Sequence, residues 1–145
     1  MKGTHAMKCL NRQCGEIEYD QEHVYEFTEG LIGFEHLKRF VVVHDPACDP
    51  FRWLVSVEDE DTAFPILDPT IVFEEYRLEV PHDKVYVAVV AALKDPVEAS
   101  TVNLRSPILF DTTNRTAQQV VLDNEMYAIH HPLVQRQVVY AEQGG

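Results

Sequence analysis

The chain has 145 residues, of which 46% are hydrophobic and 25% are charged, the composition of an ordinary soluble globular protein. Its 24 acidic residues outnumber its 12 Lys and Arg residues, which gives a net charge of -12. Because each phosphate contact needs a cation, this balance argues against nucleic acid as a partner and favours encounter with basic proteins.

The cysteine count predicts a cytoplasmic location, and the length of the apolar runs argues against a membrane helix. Cys9, Cys14 and Cys48 are an odd set in a chain without a signal-peptide pattern, so we expect a reducing, cytoplasmic environment. A membrane helix needs about 20 apolar residues. The longest apolar run, 85–93, is far shorter and contains a tyrosine, so we expect no membrane partner.

Short runs with β-branched residues or a period of two, bounded by turn residues, predict strands. We expect strands at 15–19, 23–27, 39–44, 52–57, 63–67, 85–93, 101–110 and 118–122. The first two are predicted to pair with each other, and the last two to form a hairpin. Pro65 predicts an edge position or a bulge for its strand, whereas 85–93 is the best candidate for a central strand.

Helical patterns are restricted to 34–37 and 132–136, where apolar residues recur three apart. The sequence therefore predicts one all-β, mainly antiparallel domain, a sandwich or a barrel, with one or two short helices.

Patterns that carry chemistry are absent from the sequence. Gly30 and Gly33 do not form a phosphate-binding loop, and no G-x-S-x-G pattern exists. Cys9 and Cys14 enclose four residues without a second paired motif, and the adjacent His130 and His131 would face opposite sides of a strand. We predict no enzyme activity, no cofactor and no metal.

The acidic runs are candidate docking surfaces. Glu58, Asp59, Glu60 and Asp61 lie between two predicted strands, and Glu74 and Glu75 follow further along. Such runs are solvated loops in most proteins, but four like charges in one loop repel each other, and a basic partner would relieve that repulsion. Both interpretations stay open for this loop.

A glycine-bracketed apolar segment, 29–34, is the second candidate surface. Its glycines permit positive φ and thereby reorient Leu31, Ile32 and Phe34. The segment either tucks Leu31 and Phe34 into the core or exposes an apolar patch that binds a protein.

Two rival interpretations belong to other functional classes. In the first, a β-barrel holds a small ligand in its mouth, with Trp53, Tyr86 and Phe110 lining the pocket. In the second, the chain is a metal-dependent hydrolase whose ligands come together only in the fold.

Six segments, taken in order, resemble the flagellar assembly factor FliW family: 27–40, 50–59, 63–69, 102–108, 118–122 and 131–133. The resemblance implies a small β-barrel-like domain over residues 15–134. Residues 1–14 would be an N-terminal tail and residues 135–145 a C-terminal tail.

The resemblance also implies a function without catalysis. FliW-like proteins bind flagellin and the translational repressor CsrA, and flagellin displaces CsrA, so that flagellin synthesis is coupled to secretion. CsrA is an RNA-binding protein with basic surfaces. We therefore expect Glu58, Asp59, Glu60 and Asp61 to steer CsrA, and Glu74, Glu75 and Phe34 to belong to contact surfaces.

Overall fold

The structure, a computed structural model, describes residues 6–81 and 83–134. These ranges contain eleven strands and four single 3-10 turns. The strands are β1 (Ala6–Asn11), β2 (Gly15–Asp20), β3 (Tyr25–Phe27), β4 (Arg39–Val43), β5 (Arg52–Ser56), β6 (Ala63–Leu67), β7 (Val85–Ala92), β8 (Thr101–Val102), β9 (Ile108–Asp111), β10 (Thr116–Gln119) and β11 (His131–Pro132). The 3-10 turns are Gln21–His23, Pro46–Cys48, Pro69–Ile71 and Val97–Ala99.

Seven of the strands close into a barrel. Strands β3, β4, β5, β6 and β7 are successive antiparallel neighbours, β7 continues to β9, and β9 continues to β10. The barrel closes because β10 pairs in parallel with β3. The short strands β8 and β11 extend the sheet from the end of β7. The predicted all-β, mainly antiparallel class and the barrel are confirmed.

Alternate residues of each wall strand face opposite sides, as the period of a strand requires. In β4, Phe40 points into the barrel, whereas Val41 belongs to a cluster on its outer surface. In β7, Ala88 points inward and Val89 packs in a second outer cluster. Both faces of the wall are therefore buried in these places, which explains why β7 is apolar along almost its whole length.

Aromatic rings fill the interior of the barrel. Phe27, Phe40 and Phe110 have no exposed surface. Phe27 meets Phe40 edge to face with ring centroids 5.0 Å apart, and Phe110 meets Tyr25 at 4.9 Å in the same way. This arrangement suits the charge distribution of aromatic rings and adds to the hydrophobic gain of burying them.

Pro65 lies in β6, which has a neighbouring strand on each side, so the edge position that we expected as one of two possibilities, the other being a bulge, is wrong. The proline is paired with Trp53 of β5, but the ladder between β6 and β7 is confined to Ile66 and Leu67. Pro65 thus lies beyond the end of that ladder, where its missing N–H costs no hydrogen bond to β7. The expected central strand is confirmed, since β7 pairs with β6, β8 and β9.

The predicted pairing of 15–19 with 23–27 is wrong. Strand β2 pairs instead with β1, and the chain reverses between them at Gly15, whose φ is 82°. The segment 21–23 is a 3-10 turn that directs β3 to β4 and β10. Residues 6–14, which we expected to precede the domain as a tail, thus form β1 and its turn. The hairpin packs on the barrel through Ile17, which contacts the outer cluster of Val41 and Val55.

The segments that we expected to be helical are not helical where the structure describes them. Residues 34–37 make a single turn closed by the Leu37 N–H and the Phe34 carbonyl oxygen at 3.0 Å. Of the segment 132–136, residue 132 is in β11 and residues 135–136 lie outside the described residues. No helix in the described ranges is long and apolar enough to span a membrane.

The predicted hairpin of 101–110 with 118–122 is confirmed as the pair β9 and β10, with shifted boundaries. Its turn depends on Asp111, whose carboxylate accepts from the backbone N–H groups of Thr113 and Asn114, both at 3.0 Å. Hydrogen bonds, chiefly from Asn114, lower the pKa of Asp111 because they favour its charged form.

We predict that Phe110→Ala lowers the free energy of unfolding by about 3–5 kcal/mol, because it leaves a cavity among the rings of the barrel. Urea denaturation followed by circular dichroism measures this. Val121→Ala is the control, since Val121 is 65% exposed and its truncation should have almost no effect. Equal effects of the two substitutions would contradict the packing described.

A second prediction concerns the pH dependence of stability. The folded-state pKa of Asp111 is lowered, so its contribution is present above the ordinary carboxyl pKa and is lost as the pH falls through the lowered value. We expect Asp111→Ala to be less stable than the wild type at neutral pH, and the difference to shrink on acidification. Asp111→Asn keeps an accepting oxygen without a titrating charge, so it should lack this acid-dependent part; a difference that grew towards acid pH would contradict the assignment.

Candidate protein-binding site

One end of the barrel collects the loops that the sequence singled out. Because neighbouring wall strands are antiparallel except β3 and β10, the strands β3, β5, β7 and β10 end where β4, β6 and β9 begin. The β3–β4 loop, residues 28–38, and the β5–β6 loop, residues 57–62, both project there. We refer to this end as the loop end.

The β3–β4 loop is tightly folded around Gly30. This residue has a φ of 72°, and a Cβ on it would lie 2.5 Å from the Glu35 Cα, so only glycine fits. The Phe34 N–H donates to the Leu31 carbonyl oxygen at 2.7 Å, which turns the loop back on itself. The carboxylate of Glu35 accepts from the Gly33 N–H at 3.1 Å, and this bond lowers the pKa of Glu35.

The Gln119 side chain, from the neighbouring strand β10, fixes the β3–β4 loop. The Ile32 N–H donates to Gln119 Oε1 at 2.9 Å, and Gln119 Nε2 donates to the Ser106 carbonyl oxygen at 3.0 Å. Gln119 is the last residue of β10, so the parallel pairing of β10 with β3 brings it beside the loop. The loop is therefore held in one conformation that presents Ile32.

The apolar segment is partly buried and partly exposed. Leu31 is buried, with 3% of its surface exposed, whereas Ile32 is 56% exposed. Phe34 is half-buried and meets Phe64 edge to face, with ring centroids 5.0 Å apart. The loop both contributes to the core and leaves one large aliphatic side chain in solvent.

Ile32, Phe34 and Phe64 line an apolar groove of about 440 Å³. Its far side is formed by the end of β7 and by Ile129, which is 48% exposed. The remaining lining residues are Leu31, Val90, Ala91, Ala92, Thr101, Asn103, Ser106, Gln119 and His130. An exposed apolar groove with a polar rim is typical of a protein-binding surface.

The acidic loop lies at the same end, and two of its carboxylates support the backbone. Glu58 Oε1 accepts from the N–H groups of Lys38 and Arg39 at 2.7 and 3.1 Å, which joins this loop to the β3–β4 loop. Asp59 accepts from the Asp61 N–H at 2.9 Å and from the Thr62 hydroxyl at 3.1 Å. These bonds, led by the one from Asp61, lower the pKa of Asp59.

The other two carboxylates face a cation from the N-terminal hairpin. Arg12 forms ion pairs with Asp61 and, at 3.3 Å, with Glu60. The Arg12 N–H also donates to the Glu60 carbonyl oxygen at 2.8 Å. The buried Asn11 side chain donates to the Thr62 carbonyl oxygen at 3.0 Å. The hairpin turn is thus docked on the acidic loop.

These contacts change the electrostatic argument made from the sequence. The repulsion among Glu58, Asp59, Glu60 and Asp61 is relieved in part by backbone N–H groups and by Arg12, before any partner arrives. Glu58, Glu60 and Asp61 stay exposed and Asp59 is half-buried. Sequence reasoning missed Arg12 because 48 residues separate it from Glu60.

Glu74 and Glu75 lie apart from the loop-end groove. Both are exposed in a turn and line a separate hollow with Ile71 and Phe73 on the outer side of the barrel wall. His131, the first residue of β11, lines that hollow, whereas its neighbour His130, in the turn before β11, lines the groove. The predicted contact residues are divided between two surfaces.

The structure does not support a ligand cavity lined by Trp53, Tyr86 and Phe110. Tyr86 and Phe110 meet inside the barrel with ring centroids 5.5 Å apart, and Phe110 is fully buried. Trp53 instead packs in the outer cluster with Ile17. Tyr86 does line a pocket of about 300 Å³, but neither Trp53 nor Phe110 contributes to its lining.

Among the described residues, no group of three or more His, Cys, Asp or Glu side chains could hold a metal ion. Burial raises the pKa of the Cys9 and Cys14 thiols, which keeps them protonated and weakly nucleophilic at neutral pH. The arrangement at the loop end is suited to contact with another protein.

Comparison with known proteins identifies a family. The family model described as FliW protein matches residues 8–133. The flagellar assembly factor FliW of Thermosipho africanus is 40% identical, over 85% of this chain and 93% of that protein. Those of Caldanaerobacter subterraneus and Thermotoga maritima are 31% and 32% identical, over 89% and 82% of this chain and 94% and 88% of the relatives.

A solved structure agrees with this assignment. The chain superposes on a structure described as the crystal structure of the flagellar assembly factor FliW, with a TM-score of 0.83 and 26% identity. The match covers 91% of this chain and 100% of the other. The chain therefore belongs to the FliW family of flagellar assembly factors.

Proposed function

We propose that this protein is a non-enzymatic, cytoplasmic regulator that binds flagellin and the translational repressor CsrA. Free protein sequesters CsrA and relieves repression of flagellin synthesis, and flagellin that accumulates before secretion occupies the protein and restores repression. Flagellin synthesis thereby follows secretion.

The observation that carries this proposal is the match of the FliW family model to residues 8–133, almost the whole described part of the chain. The geometry supports it in a second way. The loop end joins an exposed apolar groove to an acidic loop, which are the two features that a protein-binding regulator uses to hold and to attract its partners.

The acidic loop is the element that we assign to the approach of CsrA. Exposed charges accelerate the encounter of oppositely charged proteins, and they do so most strongly at low salt. Glu60 and Asp61 are well placed for this, since their side chains are 50% and 63% exposed. Asp59 is less suitable, because its carboxylate holds the loop together.

The first experiment is a titration of the purified protein with CsrA and, separately, with flagellin, by isothermal calorimetry at two salt concentrations. We expect a complex with each protein, and weaker CsrA binding at the higher salt concentration. A third titration adds flagellin to the preformed CsrA complex and should release CsrA. Absence of binding to both proteins would overturn the proposed function.

We predict opposite effects of two substitutions on the rate of CsrA association. Glu60→Lys should slow it, and Arg12→Ala should accelerate it by exposing Glu60 and Asp61. Arg12→Ala removes one unit charge and should change the rate about threefold at low salt, the effect of one unit charge ~7 Å from its partner in water. Glu60→Lys changes the charge by two units, so its effect should be about sevenfold. Arg12→Ala retains the backbone bond from residue 12 to the Glu60 carbonyl oxygen, so the loop should keep its conformation. Stopped-flow fluorescence measures both rates.

The N-terminal hairpin, formed by β1 and β2, supplies matched controls. Lys8 and Glu18 form an exposed ion pair with a 3.9 Å separation, farther along the hairpin from the acidic loop. Lys8→Ala and Glu18→Lys make the same changes in net charge as the two test variants. If these controls changed the association rate as much as the test variants, net charge and not the acidic loop would be responsible.

A further inference from the structure

The loop end combines three properties in one place. The groove exposes Ile32 on one side and Ile129 on the other, with 56% and 48% of their surfaces in solvent. Its floor contains the edge-to-face pair of Phe34 and Phe64. Its volume of about 440 Å³ falls within the range of ligand-binding clefts in proteins.

Carboxylates dominate the loops beside this groove. The β3–β4 and β5–β6 loops contain Glu29, Glu35, Glu58, Asp59, Glu60 and Asp61, against the single lysine Lys38. The Lys38 ammonium is already bonded to the Thr28 carbonyl oxygen at 3.2 Å. Glu58 ties the two loops together, so their charges lie on one rim. Arg12 offsets part of this charge through its ion pairs with Glu60 and Asp61, and the remaining carboxylates still favour a cationic occupant.

The polar side chains of the groove favour an occupant whose backbone N–H and C=O groups already form hydrogen bonds with each other. The Gln119 side chain is engaged on both sides, by the Ile32 N–H and the Ser106 carbonyl oxygen. The Asn103 Oδ1 accepts from the N–H groups of Arg105 and Ser106, both at 3.1 Å. An extended peptide needs main-chain partners along its length, whereas a helix supplies them internally.

We propose that the loop-end groove binds an amphipathic α-helix of a partner protein, with large apolar side chains on the face that enters the groove and Lys or Arg beside that face. The apolar anchors of the helix recur at i, i+3 or i+4, and i+7, and they cover Ile32, Phe34 and Ile129. The cationic flank meets the rim of Glu29, Glu35 and the acidic loop. This inference rests on the proposed function, because it assigns a contact mode to a partner-binding regulator.

The test uses synthetic peptides and the full chain. The probe is a fluorescein-labelled peptide of about 18 residues, five turns of helix, with Leu at the anchor positions and Lys on the flank. One control peptide has the same residues in an order without an apolar face, and another has Glu in place of every Lys. Fluorescence anisotropy at low and moderate salt measures binding.

We expect the probe to bind, the scrambled peptide to bind at least about tenfold more weakly, and the Glu peptide to be weakened mainly at low salt. Equal binding of the probe and the scrambled peptide would show attraction of any cation to an acidic protein, and would overturn the proposal. An affinity of the Glu peptide equal to that of the probe at low salt would overturn the assigned cationic flank.

Two protein variants locate the contact. Ile32→Asp should weaken probe binding about tenfold or more, because it places a carboxylate in the apolar contact. Ile71→Asp is the matched control, since Ile71 is 55% exposed, lines the separate hollow of Glu74 and Glu75, and gains the same charge. It should bind the probe like the wild type. Equal loss in both variants, or loss in neither, would overturn the assignment to the groove.

The outcome is separable from that of the proposed function. If flagellin and CsrA bind the wild type and Ile32→Asp equally well, and the probe does not discriminate between the variants, the groove proposal fails while the proposed function stands. If the probe binds in the groove while neither protein forms a complex, the proposed function fails and the groove remains a helix-binding site.

Discussion

The parallel pairing of β10 with β3 is the constraint on which the rest of this structure depends. All other wall pairs are antiparallel, and this one closes the barrel. It also places the end of β10 beside the end of β3, so that Gln119 reaches the Ile32 N–H across 87 residues of chain. The strand pairing that closes the barrel therefore also fixes the conformation of the β3–β4 loop.

Closure leaves outward-facing apolar residues that need cover. The N-terminal hairpin covers Val41 and Val55 with Ile17, and a second layer that includes Tyr76 and Tyr127 covers Val89. Because the hairpin must lie on the wall to bury Ile17, its turn reaches the acidic loop and delivers Arg12 to Glu60 and Asp61. The hydrophobic packing of the hairpin thus determines that Arg12 lies against the carboxylates of the acidic loop.

The sequence predicted those parts of the fold that local pattern determines. Strand 63–67 matched its observed boundaries, and the β9–β10 hairpin followed from its turn residues. Strand β1 was missed because its residues 6–11 lack a clear period of two, and its conformation comes from pairing with β2. The family resemblance was confirmed, and it supplied the closed barrel that strand counting alone left open against a sandwich.

For the site, sequence reasoning found Phe34 and the acidic loop because unusual composition marks both segments. Glu74 and Glu75 are equally acidic, but the fold places them beside a different hollow. Ile129 and Phe64 carried no such mark, since an isolated apolar residue predicts burial as readily as exposure. Phe34 in the β3–β4 loop, Phe64 near the start of β6 and Ile129 in the turn before β11 meet only in the folded chain. No short stretch of sequence contains all three.

Attraction and retention have different physical origins at the loop end. The force from Glu60 and Asp61 decays within about 10 Å at ordinary salt, and Arg12 already weakens it. Contact with Ile32 and Ile129 acts only at van der Waals distance and is not screened by salt. On our proposal, charge therefore governs how fast a partner arrives, and the groove governs how long it stays. Arg12 then acts on the first quantity alone, because it touches the acidic loop and does not line the groove.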